Sequence, residues 1–196
     1  MGMRRVTDLI PRERRHRLSV EDFHGMGEAG ILGEDARVEL IEGELVDMPP
    51  IGSEHAGEVR ILIHVLTRAV GDLAIVDAQN PVVLSEDSEA QPDIMLLKPR
   101  EDFYTRSHPG PGEVLLLIEV ADTTAHYDRT VKIPLYAQHS IPEVWLLDLP
   151  QKRLEIYRTP RPEHACYQTL EQHYEGTVSP ALLPHIQIDV AKLFVA

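Results

Sequence analysis

The sequence EVLLLIEVADTTAHYDRTVKIPLYAQ, residues 113–138, contains the segment that decides the fold. Its first part, Val114–Val120, is a nearly continuous apolar run of the kind that forms a central strand buried on both faces. Glu119 stands one residue before the end of that run, and a polar stretch then leads to Lys132. The segment therefore predicts a buried strand that carries a carboxylate to the rim of a sheet, followed by an element that brings a lysine back towards it.

The element after this strand is predicted to be a helix over about residues 130–139. Pro134 has no backbone N–H and is tolerated best near a first helical turn, which favours a start close to Asp128 or Thr130. Lys132 would then lie in the first turn or so, at the end of the helix that emerges from the Glu119 strand. Two aromatic residues of this region, Tyr136 and Trp145, are expected in the core rather than on a surface that stacks bases.

The flanking sequence predicts further strands and helices. Two short alternating apolar runs flank Glu42-Gly43 and predict a β-hairpin over residues 37–48. Apolar residues at helical spacing predict a helix over Ser53–Val70, with Ser53 as its cap. The other predicted elements are a short helix after Ser19, strands at 74–78, 82–84, 94–97, 144–148, 154–158 and 166–170, and a closing strand or short helix near the C-terminus. Together they indicate an α/β (α+β) fold with one long central mixed sheet flanked by helices.

The composition favours a single cytoplasmic domain. With 196 residues, of which 43% are hydrophobic, the chain can bury one substantial core. No stretch approaches the roughly 18 consecutive apolar residues of a membrane span, and the N-terminal residues lack the apolar stretch of a signal peptide. The single cysteine, Cys166, excludes an internal disulfide. We therefore expect a cytoplasmic protein without membrane association.

Charge is distributed unevenly along the chain. Residues 1–17 contain six arginines and two acidic residues, a net charge of +4, whereas the remainder carries −17. The acidic remainder of the chain should bind phosphate groups poorly in general, because nucleic-acid affinity comes largely from cationic side chains. We therefore separate a basic arm, residues 1–18, from a single domain, residues 19–196. The arm could be an anchor for nucleic acid or a solvated tail. The arginines considered for the anchor are Arg12, Arg14, Arg15 and Arg17.

Two carboxylates are predicted to meet at one rim of the sheet. Asp93 immediately precedes the strand 94–97, and Glu119 lies at the far end of the strand that follows it in the chain. Consecutive strands usually lie side by side, and an antiparallel pairing places the start of one beside the end of the next. Two carboxylates so placed repel each other unless a cation lies between them, and their oxygen atoms suit Mg²⁺ or Mn²⁺.

Lys132 completes this candidate site. An amine beside the metal could hold or deprotonate a water molecule, or stabilise negative charge on a phosphate. Asp128, four residues earlier, is in the favourable order for an i, i+4 pair and could orient the ammonium group. The alternative is an ordinary surface, in which Asp128 and Lys132 form an exposed pair worth only a few tenths of a kcal/mol.

The order of these motifs resembles the PD-(D/E)XK nuclease superfamily and, more specifically, the Uma-two family of restriction-endonuclease-like proteins. The resemblance extends over most of the chain. The matching segments are VELIEGELVDMPP (38–50), SEHAGEV (53–59), QPDIMLL (91–97), VLLLIEVADTTAHYDRTVKIPLYAQHSIPEVWLLD (114–148), RLEIYR (153–158) and PALLPHIQIDVAKLF (180–194). It implies a restriction-endonuclease-like core and Mg²⁺-dependent hydrolysis of phosphodiester bonds.

The resemblance also implies roles for individual residues. Asp93 and Glu119 match the metal-binding carboxylates, and the backbone carbonyl of Val120 would complete the metal ligands. Lys132 matches a lysine moved from the strand onto the following helix, since the strand position that usually holds it is Ala121 here.

Three further residues enter under the same resemblance, two of them with alternative roles. Glu39 is the candidate for a third acid of the site, and it is preferred to Glu42, which sits at the hairpin turn. Asp122 stands where the family usually has serine, and it could add a carboxylate near the metal or merely cap the turn. His55 could face the site from the long helix or be structural.

The resulting hypothesis is a Mg²⁺- or Mn²⁺-dependent endonuclease acting on DNA. Cutting both strands of a duplex is easiest with two sites, so a homodimer is the expected assembly. The main alternative is a non-catalytic nucleic-acid-binding or assembly module that retains the nuclease fold. A hydrolase of a small phosphorylated molecule is a third interpretation, for which an acidic surface is less of a handicap.

Overall fold

The computed structural model describes residues 11, 14–33 and 35–194. The strands are β1 Val38–Ile41, β2 Glu44–Asp47, β3 Ile75–Ala78, β4 Val82–Ser85, β5 Ser88–Ala90, β6 Ile94–Leu97, β7 Val114–Ala121, β8 Glu143–Asp148, β9 Arg153–Arg161, β10 Cys166–His173, β11 Thr177–Val178 and β12 Ile188–Asp189. The helices are α1 Val20–Glu28, α2 Ser53–Val70, α3 Ala125–Tyr127, a π-helical segment Asp128–Lys132, and α4 Ile133–Gln138. Short 3₁₀ turns occupy Gly71–Leu73, Pro111–Glu113, Pro162–His164 and Val190–Leu193.

The main sheet has six strands in the order β10-β9-β8-β7-β6-β3. Strands β7 and β8 pair in parallel, and the other neighbours are antiparallel, so the sheet is mixed. All eight residues of β7 are buried. The predicted α+β class is therefore confirmed, and so is the prediction that the apolar run forms a central strand.

The pairing of β6 with β7 is antiparallel, as predicted. Ile94 lies opposite Ile118 in this ladder. Asp93 and Glu119 are the next residues outward on the two strands, so the register places both at the same rim of the sheet.

Helices cover both faces of the main sheet. On one face, Leu62 and Leu66 of α2 belong to the same buried cluster as Trp145. On the other face, Leu135 and Tyr136 of α4 pack in a second buried cluster. Trp145 and Tyr136 are fully buried, which confirms that these aromatic residues are core residues rather than exposed platforms for stacking bases.

A second sheet corrects the prediction of one long central sheet. The predicted hairpin is present, with its turn at Glu42-Gly43, but it belongs to a separate four-stranded sheet of order β2-β1-β5-β4. Strand β5 has the sequence Ser-Glu-Ala, which has neither apolar alternation nor β-branched residues. Pairing with β1 and β4 makes it a strand, so local sequence could not reveal this sheet.

Two predicted helix starts are also corrected. The long helix does begin at Ser53, but its cap is Gly52, and no side-chain cap hydrogen bond is made there. The helix predicted over residues 130–139 begins earlier, at Ala125, because the Asp128 N–H already bonds the Thr124 carbonyl. Pro134 therefore does not lie in the first turn, as predicted, but inside the helical run, directly after the π-helical segment and as the second residue of α4.

Candidate active site

A cleft opens at the rim where β6 begins and β7 ends. It lies between hairpin β1–β2, the start of α2 and the helical segment after β7. Every candidate site residue of the domain lines it, whereas the described arginines of the arm, Arg14, Arg15 and Arg17, do not. The charged, histidine and tyrosine residues of its wall are Arg37, Glu39, Asp47, His55, Asp93, Glu119, Asp122, Tyr127, Asp128 and Lys132, and the Val120 backbone lies beside them.

Asp93 is held on both of its carboxylate oxygens. Oδ1 lies 2.7 Å from Nε2 of His55, and Oδ2 accepts the Val120 N–H at 2.9 Å. The hydrogen bond with Asp93 raises the pKa of His55, although burial opposes the rise. Gln79, which has a left-handed backbone conformation with φ of 54°, donates its N–H to the Asp93 carbonyl at 3.0 Å. These contacts aim the carboxylate from the β6 rim towards the end of β7.

Lys132 lies between two carboxylates. Its Nζ is 2.8 Å from Oε1 of Glu39 and 3.0 Å from Oε1 of Glu119, and the side chain is only 6% exposed. Burial acts to lower the pKa of Lys132, but the two carboxylates outweigh it and hold the pKa well above its ordinary value. The amine is therefore a buried ammonium group, suited to holding an oxygen atom or stabilising negative charge rather than to accepting a proton.

Glu119 is buried and linked to two donors. The Tyr136 hydroxyl and the Lys132 ammonium both contact Oε1, so Oε2 lies outside these two contacts. Burial raises the pKa of Glu119 to about 8, despite the opposing effect of Lys132, and the Asp93 carboxylate contributes to the rise. The Lys132 ammonium therefore offsets only part of the cost of ionising this buried carboxyl group.

Asp128 and Asp122 extend the acidic wall. Burial raises the pKa of Asp128 to about 6, while its Oδ2 accepts a hydrogen bond from the Thr124 hydroxyl at 2.7 Å. The predicted pair between Asp128 and Lys132 is not formed, because the Lys132 ammonium contacts Glu39 and Glu119. Asp128 lies in the same wall of the cleft, but its carboxylate bonds to Thr124. Asp122 is half-buried in this wall.

The cleft has the charge and donor chemistry of a site for a hard divalent cation. Six carboxylates line it, against one lysine and one arginine. Within the described part of the chain, no three His, Cys, Asp or Glu side chains form a complete metal-binding group. Mg²⁺ does not need one, since it is commonly bound by one or two carboxylates and keeps several waters. Asp93 and Glu119 at the shared rim fit that mode of binding.

The described part of the arm lies against the small sheet. Arg15 is 3.6 Å from Glu44, and Arg17 is 3.9 Å from Asp87. The backbone N–H of Arg14 bonds the Pro11 carbonyl, whereas Arg12 lies outside the described residues. Whether these arginines bind nucleic acid stays a prediction, as does the domain boundary at residue 19.

Two tyrosines belong to the site without having been predicted there. Tyr136 is a core residue, as expected, yet its hydroxyl also donates to Glu119 at 2.5 Å. Tyr127 lines the cleft from the residue just before the π-helical segment. The sequence offered a signal only for Tyr136, which follows Lys132 by four residues and therefore shares its side of a helix.

Comparisons with known proteins agree with this geometry. The family model Uma2, described as "Putative restriction endonuclease", matches residues 20–191. A crystal structure of a protein described as "a putative nuclease belonging to DUF820", from Anabaena variabilis ATCC 29413, has a similar fold with a TM-score of 0.68. It is 19% identical in sequence, and the match covers 90% of this chain and 97% of that one. No match was found among curated proteins.

These findings confirm the predicted family and the restriction-endonuclease-like fold, and they support a nuclease. In the described part of the chain, no helix combines the length and apolar character needed to cross a membrane.

Proposed function

We propose that this chain, which belongs to the Uma2 family, is a Mg²⁺-dependent endonuclease that hydrolyses phosphodiester bonds in DNA. One observation carries the proposal: the buried Lys132 ammonium bridges Glu39 and Glu119 in the same cleft that holds Asp93. Burying three such charges is costly even when they are paired, so their presence in a cleft supports a role beyond packing. Hydrolysis of a phosphodiester forms a bond between a water oxygen and phosphorus and breaks one P–O ester bond, which leaves a phosphate on one new strand end and a hydroxyl on the other, the water supplying the proton that this hydroxyl takes up. The reaction therefore requires a positioned water and compensation of negative charge.

The metal would be held by Asp93, Glu119 and the backbone carbonyl of Val120, with Mn²⁺ as an alternative to Mg²⁺. Such an ion supplies Lewis-acid stabilisation of charge on the phosphoryl group. Without a cation the six carboxylates would repel a phosphate, so nucleic acid is expected to bind better when the ion is present.

The protein side chains have distinct tasks in this proposal. Lys132 holds the attacking water and compensates charge that develops on the phosphoryl oxygens. Glu39 fixes the Lys132 ammonium, and Tyr136 fixes Glu119 through its hydroxyl. His55 fixes the orientation of Asp93 in the same way. Asp128 and Asp122 add negative potential that favours a divalent cation over a monovalent one.

The experiment that tests this function is cleavage of supercoiled plasmid with Mg²⁺, Mn²⁺ or EDTA. Wild type should nick or linearise the plasmid with either metal and not with EDTA. Asp93→Asn, which keeps the shape of the side chain but removes its charge, should be inactive under all three conditions. Equal cleavage by wild type and Asp93→Asn would show that the activity comes from elsewhere and would overturn the proposal.

The second candidate is a non-catalytic nucleic-acid-binding or assembly module. The acidity of the chain, with a net charge of −13, is the observation in its favour, because it opposes substrate approach. The two functions differ in the same assay. A wild type that binds Mg²⁺ and DNA but leaves plasmid and single-stranded DNA intact would favour the module, whereas metal-dependent cleavage excludes it.

Assembly as a two-fold homodimer is part of the proposal. Two sites related by a dyad can cut the two antiparallel strands of a duplex. Sedimentation with and without a DNA duplex would test this: the proposal expects a dimer on the duplex, and a monomer on DNA at saturating protein would contradict it.

A further inference from the structure

The starting observation is the hydroxyl of Tyr127. This residue ends α3 and lines two depressions at once, the cleft and the neighbouring groove between hairpin β1–β2 and α4. Its hydroxyl oxygen is buried, and among the described residues it has no hydrogen-bond partner. Buried polar groups nearly always have a partner, so one without any calls for an explanation.

The other tyrosines show that this is not a general feature of the chain. Four tyrosine hydroxyls donate to protein acceptors. They are Tyr104 to the Lys98 carbonyl, Tyr136 to Glu119, Tyr157 to Glu155 and Tyr167 to the Ile141 carbonyl. The neighbouring donors of the cleft are engaged as well, Thr124 with Asp128 and Lys132 with Glu39 and Glu119. Tyr127 is thus a buried cleft donor whose acceptor the described protein does not supply.

The chemistry of the site indicates what that acceptor is. Tyr127 lines the same cleft as Glu39, Asp128 and Lys132. Burial raises the pKa of its hydroxyl, and these charged groups also influence that pKa. The ligand that the proposed function brings there is a phosphodiester, whose non-bridging oxygens only accept hydrogen bonds. Tyrosine hydroxyls are among the ordinary protein donors to phosphate oxygens.

We infer that the Tyr127 hydroxyl donates a hydrogen bond to a non-bridging phosphoryl oxygen of bound nucleic acid, which makes Tyr127 a substrate-binding residue. The inference rests on the proposed nuclease function. A neutral donor is suited to this cleft because it adds phosphate affinity without neutralising the carboxylates that attract the metal. Because it is uncharged, it also contributes affinity that does not depend on counterion release.

This assignment makes a paired prediction for Tyr127→Phe. In the free protein the substitution removes a buried hydroxyl that has no partner among the described residues, so resistance to urea should be unchanged or slightly greater. In the complex it removes a hydrogen bond to a charged group, so the Kd for DNA should rise about tenfold or more. The slope of log Kd against log salt concentration should stay the same, since the substitution removes no positive charge.

The matched control is Tyr167→Phe. Tyr167 donates its hydroxyl to the Ile141 carbonyl at 2.8 Å and does not line the cleft. Its loss should lower the urea midpoint and leave DNA affinity unchanged, the opposite of the pattern expected for Tyr127→Phe.

The experiment measures fluorescence anisotropy of a labelled DNA duplex, with Ca²⁺ in place of Mg²⁺, together with urea unfolding of each variant and plasmid cleavage with Mg²⁺. Weaker binding and slower cleavage by Tyr127→Phe at unchanged stability support the inference. If wild type cleaves DNA and Tyr127→Phe binds and cleaves equally well, the inference is wrong and the proposed function stands. Lower stability of Tyr127→Phe would mean that the hydroxyl has a protein partner, which also overturns it.

Two remaining outcomes are equally decisive. A loss of Mg²⁺ affinity with unchanged DNA affinity would assign the hydroxyl to the hydrated ion and overturn the phosphoryl contact. A wild type that neither binds nor cleaves DNA would overturn the proposed function together with this inference.

Discussion

The chain buries charge in two neighbouring regions, which are built differently. The β8–β9 charge cluster, defined as Arg129, Asp148, Arg153 and Glu155, matches two cations with two carboxylates. In it the Arg129 Nε lies 3.0 Å from Glu155, and the Arg153 Nη2 lies 2.7 Å from the same side chain. Among the described residues, the cleft is lined by six carboxylates and two cationic residues, one lysine and one arginine. The charges of the cluster are therefore matched in number, whereas carboxylates outnumber cations in the cleft.

The pKa values of two buried glutamates express this difference. Burial acts to raise the pKa of Glu155, but hydrogen bonds from Arg129 and Tyr157 outweigh it, and the pKa is lowered. Burial likewise acts on Glu119, and there Lys132 does not outweigh it, so the pKa rises to about 8. Buried carboxyl groups that have a raised pKa and lie in a cleft are typical of functional sites. The comparison therefore distinguishes a cluster of matched charges from a cleft whose buried glutamate has the raised pKa that the proposed function would use.

The largest expected effect comes from Lys132→Met, which removes the buried cation of the cleft at similar side-chain length. Loss of a preorganised charge at a phosphoryl group should lower the cleavage rate by about 10²–10³-fold. Single-turnover cleavage with saturating Mg²⁺ would measure it.

Arg153→Met is the matched control in the β8–β9 charge cluster. It should destabilise the protein while leaving the cleavage rate of folded molecules unchanged. Comparable rate losses in both variants would mean that the two regions do not differ in function.

The next effect concerns stability and its pH dependence. Glu155→Gln leaves two arginines facing one carboxylate, and the free energy of unfolding at pH 7 should fall by about 3 kcal/mol. Because the pKa of Glu155 is lowered in the folded state, its contribution is complete above the ordinary glutamate value of about 4.3 and is lost as pH falls through the lowered pKa. Urea unfolding at several pH values should show the two proteins converging in acid. A pH-independent difference would instead point to lost packing.

A smaller effect is expected for Tyr136→Phe. The hydroxyl donates to Glu119 in the core, and such a bond is worth about 1 kcal/mol when the carboxyl group is protonated and about 2 kcal/mol when it is charged. Since the bond orients a proposed metal ligand, Mg²⁺ affinity should fall together with stability. Titration of Mg²⁺ at a fixed DNA concentration would show the first effect. If the Mg²⁺ concentration required is unchanged, Tyr136 stabilises the fold but does not orient a metal ligand.

The smallest effect is predicted for the arm. Arg15 and Arg17 form ion pairs of 3.6 and 3.9 Å at the protein surface, which contribute less than about 1 kcal/mol each. The double variant Arg15→Ala, Arg17→Ala should keep its stability, while its DNA affinity becomes less dependent on salt, by about one unit of slope for each arginine that binds a phosphate. An identical salt slope would show that these arginines do not bind DNA.

The sequence predicted the position of a residue correctly where the local hydrophobic pattern and the usual pairing of consecutive strands indicate the same arrangement. A buried eight-residue strand, an antiparallel neighbour and a returning lysine sufficed to bring Asp93, Glu119 and Lys132 to one rim. The hairpin that carries Glu39 could be predicted from its turn, whereas the choice of Glu39 as a third acid came from the family resemblance and stays a prediction. These residues lie at the ends of regular elements, where register determines position.

Features set by tertiary contacts could not be predicted. Strand β5 exists because β1 and β4 pair with it, and its own sequence has little β propensity. The π-helical segment that presents both Asp128 and Lys132 to the cleft has no recognised sequence signal. The buried hydroxyl of Tyr127 depends on side-chain packing from several elements. Arg129 of the π-helical segment pairs with Asp148 of β8 and Glu155 of β9, which spacing along the chain does not reveal.

The most direct test of the central claim is calorimetric titration of Mg²⁺ and Mn²⁺ into wild type, Asp93→Asn and Glu155→Gln. We predict saturable binding to wild type and to Glu155→Gln, whose substitution lies in the β8–β9 charge cluster, and none to Asp93→Asn. Binding that survives in Asp93→Asn, or a wild type that binds neither ion, would contradict the assignment of the cleft as a metal-dependent nuclease site.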